Sequence, residues 1–280
     1  MVGIGLSLTH QSRLKWRFLG KYRWAMCSEC LGNFELRYFL MIATTPTQSQ
    51  PISLANSQKN WTMLFAQNTK RWQQFAATID FDTMHLEPEM IDSIKTFQLG
   101  EQAEGRTLTA VATQYAQSHD EPDYLTAMQQ FIGEEQRHAH YMAIALRANG
   151  IEPLEKQWSD GLFRKLRKLC GWEMMISVLL TAEVIAIAYY STLAKASQDP
   201  QAKRLFERIL QDEVTHLQFH GERLSCARSG RFSTRWAFHR LFLWVVTGLV
   251  WVEHRHVLIH QFSSFPRFIQ RCDALLTALV

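Results

Sequence analysis

Two tetrapeptides in the chain pair a carboxylate with an imidazole at a spacing that could hold metal: Glu135-Gln136-Arg137-His138 and Glu213-Val214-Thr215-His216. On a helix, residues three apart share a face one turn apart, so both side chains can reach one ion. A single Glu-x-x-His arises often by chance. Here each is preceded by another glutamate in an apolar stretch, Glu104 lying 31 residues before Glu135 and Glu183 lying 30 before Glu213. Glu101, one turn ahead of Glu104, is the reserve candidate on the first stretch.

These residues need long helices to hold them, and the prolines leave room for such helices. None falls within 89–121, 123–152, 154–199 or 201–265. Apolar side chains recur at three and four, which predicts helices over about 88–118, 121–149, 170–198 and 200–228. Pro88, Pro122 and Pro200 suit first helical turns, and Asp199 reads as an N-cap. The first two helices are joined near Ser118–Glu121 and the last two near Ser197–Pro200, and such short connections make antiparallel neighbours. Counting outward from each turn sets Glu104 level with Glu135, and Glu183 level with Glu213.

The acids interrupt apolar stripes such as Met128, Phe131, Glu135, His138, Met142 and Ile176, Leu180, Glu183, Ile187, Tyr190. Burying a carboxylate is costly unless it is paired or metal-bound. Two divalent cations would neutralise four inward carboxylates. Oxygen-rich ligation with two imidazoles suits iron or manganese better than structural zinc.

A glutamate from each of two helices, with Glu-x-x-His from each of the other two, is the ligand set of di-iron and di-manganese bundles. Over about residues 90–228 the sequence therefore resembles the ferritin-like di-metal carboxylate superfamily, which includes rubrerythrins, ribonucleotide reductase small subunits and arylamine N-oxygenases. The resemblance implies an all-α, ferritin-like four-helix bundle carrying two iron ions, with two manganese ions or a mixed pair as alternatives. It implies Glu104, Glu135 and His138 on one metal, and Glu183, Glu213 and His216 on the other, with Glu135 and Glu213 bridging. Glu134 and Asp212 would each hydrogen-bond a ligand histidine of the opposite hairpin. Tyr190 is a candidate radical or gating residue, against the plainer reading of a packed core tyrosine. His220 is placed at the surface or behind the ligands, with a place on the cavity wall as the alternative, and His140 should face away. No cysteine pairs of rubredoxin type follow the bundle, which argues against a rubrerythrin proper.

The function this implies is a non-haem oxidase or oxygenase acting on O₂ and a small organic molecule. Electrons would come from an external donor, since no flavin or nicotinamide fingerprint is present. The rivals are a ferroxidase or storage protein and a di-manganese catalase-like enzyme.

The rest of the chain sets bounds. Its 280 residues are 47% hydrophobic and 20% charged, with a net charge of +4, an ordinary globular balance that gives no argument for nucleic acid. Five cysteines, of which only Cys27 and Cys30 form a C-x-x-C, suggest a reducing cytoplasm. The basic run Arg164–Lys168 reads as a solvated helix face within a crossover over 150–169. The longest uncharged apolar run, Leu241–Val252, falls short of the ~18 residues of a membrane span, so no span is expected. Residues 1–58 are expected to be a poorly ordered extension, with Met41 a possible translation start, and 59–230 the bundle. Residues 231–280 should add two helices, near Trp236–Leu258 and Phe265–Val280, packing on the bundle or on a second copy in a homodimer, with membrane-surface contact as an alternative that their length does not support.

Overall fold

The computed structural model describes residues 60–102, 105–155, 171–228 and 234–279, all within one compact unit spanning Leu54–Val280. Arg164–Lys168, Cys27, Cys30, Cys170, Glu104 and the extension 1–58 lie outside the described residues. The described residues form helices and no strand. In chain order these are α1 (Trp61–Ala76), α2 (Pro88–Glu101), α3 (Gly105–His119), α4 (Pro122–Ala148), α5 (Trp172–Ala196), α6 (Pro200–Arg228), α7 (Thr234–Phe262) and α8 (Phe265–Thr277).

Local chemistry sets the boundaries. Asp199 Oδ1 accepts hydrogen bonds from the amides of Gln201 (2.8 Å) and Ala202 (2.9 Å), capping α6 ahead of Pro200. Pro88 and Pro122 open α2 and α4, where a missing N–H costs nothing. Helix α4 runs out at Asn149 and Gly150, the glycine at φ 72°. The Asn149 side chain donates to the carbonyls of Met84 and Ala145 and accepts from the Leu86 amide, tying the loop before α2 to the end of α4.

The first long helix expected from the sequence is two helices. Helix α2 ends at Glu101 with Gln102 as its C-cap, and α3 begins at Gly105. A Cβ on Gly105 would stand 2.5 Å from Cγ2 of Ile132, so this backbone approaches α4 more closely than any other residue permits.

Hairpin α2–α3–α4 packs beside hairpin α5–α6, with α3 against α5 and α4 against α6. Helix α5 is apolar all round, and 18 of its 25 residues are buried, as befits a central core helix. Helix α1, not anticipated from the sequence, lies along α4 and buries Trp61, Phe65, Asn68 and Trp72, a four-three-four spacing along one face. Helix α7 covers α5 and α2, and α8 packs on α7 and α5.

Helices α5 and α7 are each long and apolar enough to cross a bilayer, which the uncharged-run criterion did not anticipate. In α5 the apolar window is 83% buried within the protein, against 33% in α7.

Candidate metal centre

Side chains from α2, α4, α5 and α6 converge at mid-bundle. Their potential ligand atoms form two overlapping groups, each within 4.8 Å: Glu101, Glu135, His138 and Glu213, then Glu135, Glu183, Glu213 and His216. Glu135 and Glu213 belong to both. His138, His216 and Glu213 are wholly buried, Glu183 is 2% exposed and Glu101 8%. Glu101, the reserve candidate, supplies the carboxylate from the first hairpin's outer arm.

The imidazoles are held from behind. His138 Nε2 donates to Asp212 Oδ2 at 3.0 Å, and His216 Nε2 donates to Glu134 Oε2 at 2.9 Å. Each bond crosses between hairpins. With carboxylates accepting at Nε2, the neutral ring's lone pair lies on Nδ1, pointing into the cluster. There His138 Nδ1 stands 3.2 Å from Glu213 Oε1 and 3.8 Å from Glu135 Oε1. His216 Nδ1 lies 3.0 Å from Glu135 Oε1, 3.6 Å from Glu213 Oε2 and 3.8 Å from Glu183 Oε2.

Helix α1 completes the outer layer with residues that were missed in the sequence. Asn68 Nδ2 donates to Glu134 Oε1 (2.7 Å) and to Asp212 Oδ1 (2.8 Å), linking the two acids behind the two histidines. Trp72 Nε1 donates to Asp212 Oδ2, and Arg208 pairs with Asp212 Oδ1 at 2.9 Å while donating to Asn68 Oδ1. The signal was available: Asn68 stands at a core position of the Trp61–Phe65–Trp72 stripe, where a polar side chain needs a partner.

Protonation reflects the crowding of acids. Burial pushes the Glu101 and Glu183 carboxyls well above the usual range, and the charges of Glu135 and Glu213 push them further. Burial opposes ionisation of Glu213 too, but its contacts with His138 and His216 outweigh that and hold it low. For His138, burial disfavours the charged ring, yet Asp212 and Glu213 raise its pKa to about 9.

His220, one turn past His216, is fully buried rather than at the surface. Its Nε2 is 3.7 Å from Glu183 Oε1, and burial with the neighbouring His216 lowers its pKa to about 3, so the ring is neutral. Tyr190 is fully buried in the core, and its hydroxyl donates to Glu101 Oε1 at 2.6 Å. His140 is exposed and faces away from the cluster.

The donor set fits a pair of cations. Glu135 Oε1, both Glu213 oxygens, His138 Nδ1 and His216 Nδ1 are buried without a hydrogen-bond partner, whereas the Nε2 atoms on the far side of both rings are satisfied. Unpaired buried polar atoms are rare in native proteins and call for an explanation, such as an ion. Four carboxylates at the centre match the charge of two divalent ions.

A cavity of about 200 Å³ adjoins the cluster, with Glu101, Glu135, Glu183 and Glu213 on its wall. The rest of its lining is mostly apolar and includes Phe97, Leu108, Phe131, Leu179 and Val246.

The helices and the carboxylate–histidine cluster define an all-α protein of the ferritin-like fold, with a site capable of holding two metal ions. The chain is similar in structure to a mutant R2-like ligand-binding oxidase with an anaerobically reconstituted Mn/Fe cofactor. The TM-score is 0.54 at 12% identity, over 81% of this chain and 94% of that one. No family model and no curated protein matches the sequence.

Proposed function

We propose that the chain is a di-metal oxidoreductase that uses O₂ to oxidise a small, largely apolar organic molecule. The observation that carries this reading is the convergence of partnerless, buried donor atoms from four helices beside an apolar cavity. Glu101 and His138 would hold one ion, Glu183 and His216 the other, with Glu135 and Glu213 shared. Two iron ions, or a manganese-containing pair, would supply a reducible centre for dioxygen chemistry.

The protein's own groups provide the setting. Asp212 and Glu134 fix both imidazoles with Nδ1 inward. The Tyr190 hydroxyl holds Glu101 by one oxygen, leaving the other for a ligand. Phe97, Leu108, Phe131 and Leu179 exclude water from the space beside the carboxylates and would orient an apolar substrate there. An apolar chamber suits an organic molecule better than hydrated iron, which favours an oxidase over a storage role. Electrons come from a separate donor.

The test is metal analysis coupled to oxygen uptake. Iron-loaded protein should hold about two ions per chain and consume O₂ when reduced, without depositing mineral. Glu135→Ala combined with Glu213→Ala should abolish both. Full metal content in that double variant would overturn the assignment.

A further inference from the structure

Among the described residues, ten large apolar side chains are exposed, and seven of them lie on α7: Phe238, Leu241, Trp244, Val245, Leu249, Val252 and Ile259. From Phe238 to Val252 the steps are three, three, one, four and three, which keeps them on one helical face about 21 Å long. Phe238 is 71% exposed and Val252 75%. The opposite face is fastened to the bundle: His239 Nε2 meets Thr181 Oγ1 at 3.0 Å, and His254 Nδ1 meets Ser93 Oγ at 2.8 Å. A helix pinned along one side and apolar along the other can lie on an apolar phase without crossing it.

The charges favour an anionic partner. Arg235 stands at one end of the face, where it pairs with Glu173, and exposed Arg255, His256 and His260 stand at the other. Glu253 is the one acid on α7, and Arg240 is paired with Asp273. A second copy docked two-fold on this face would set arginine ends against each other, with like charges opposed. Phospholipid headgroups would meet cations, while the acyl region would take Leu249 and Val252.

We infer that α7 is a membrane-surface element, seating its Phe238–Val252 face in the interface of an anionic bilayer. This holds whether or not the bundle carries metal, and it leaves the chain lying on the membrane rather than spanning it.

Flotation of the full-length protein with vesicles tests it. The protein should rise with vesicles containing phosphatidylglycerol, and less with phosphatidylcholine alone. Leu249→Glu combined with Val252→Glu, both exposed and outside the cavity wall, should weaken binding by at least about tenfold with helix content unchanged. Arg255→Glu should cost roughly fivefold on anionic vesicles and little on neutral ones. The inference falls if the protein stays with neither vesicle, or if the double substitution leaves flotation intact. It also falls if the double substitution merely dissolves a dimer seen by size exclusion while vesicles recruit nothing.

Discussion

Asp212 carries four donors on two oxygens: Asn68 and Arg208 at Oδ1, Trp72 and His138 at Oδ2. Burial alone would raise its pKa, but the bond from His138 and the nearby charges of His138 and Arg208 bring it below the usual carboxylate range. An amide there would turn an NH₂ group toward donors. Asp212→Asn should therefore loosen His138 and cost about 10–100-fold in metal affinity, measured by competition with a chelator. An unchanged affinity would mean that Asp212 serves packing and not the ring. At the same scale, Tyr190 joins the site through its hydroxyl and His220 by standing beside Glu183.

Elements set the heights at which these residues meet. Glu101, at the end of α2, lies in the cluster, and Gly105, at the start of α3, lies against Ile132. Gly105→Ala should destabilise the protein by about 1–3 kcal/mol in urea unfolding, because Ile132 is branched and held on α4. Gly100→Ala, with nothing within 4 Å of the added carbon, should cost far less. Helix α7 is tied down by two buried imidazoles whose pKa values burial lowers to about 4. The charges of Arg228 near His239 and of His256 near His254 add to the effect. A histidine with a depressed folded pKa contributes its full stability above the unfolded value of about 6.5, and loses it progressively as pH falls from there through 4. Moving from pH 7 to pH 5 should cost on the order of 2 kcal/mol per ring, and hydrogen exchange should show α7 opening first. His254→Gln should remove one ring's share of that loss.

For the whole molecule, a cation pair held at this site would be a structural component as well as a reactive one. Without cations, burial and the charges of Glu135 and Glu213 oppose ionisation of Glu101 and Glu183, and several buried donor atoms go unmatched. Each ion present at a hundredfold excess over its dissociation constant adds about 2.7 kcal/mol to the folded state. Stripping two should lower the melting temperature by on the order of 10–20 °C for a chain this size. Scanning calorimetry of loaded and chelator-treated protein would show it, and coincident transitions would remove the case for a metal centre.

Residue type and helical spacing alone determined which chemistry was present. Glu-x-x-His places its two side chains on one face by local geometry, and periodicity with proline positions bounded α4, α5 and α6, so both were legible without a structure. The bonds from Asp212 to His138 and from Glu134 to His216 follow the same one-residue offset on facing helices. Tertiary structure alone decided what depends on how separate helices meet. Glu101 came to the cluster from the end of α2, Asn68 arrived on a helix 66 residues from Glu134, and His220 is buried beside Glu183. It also left the outer face of α7 bare, because an apolar residue looks the same in sequence whether a core covers it or not.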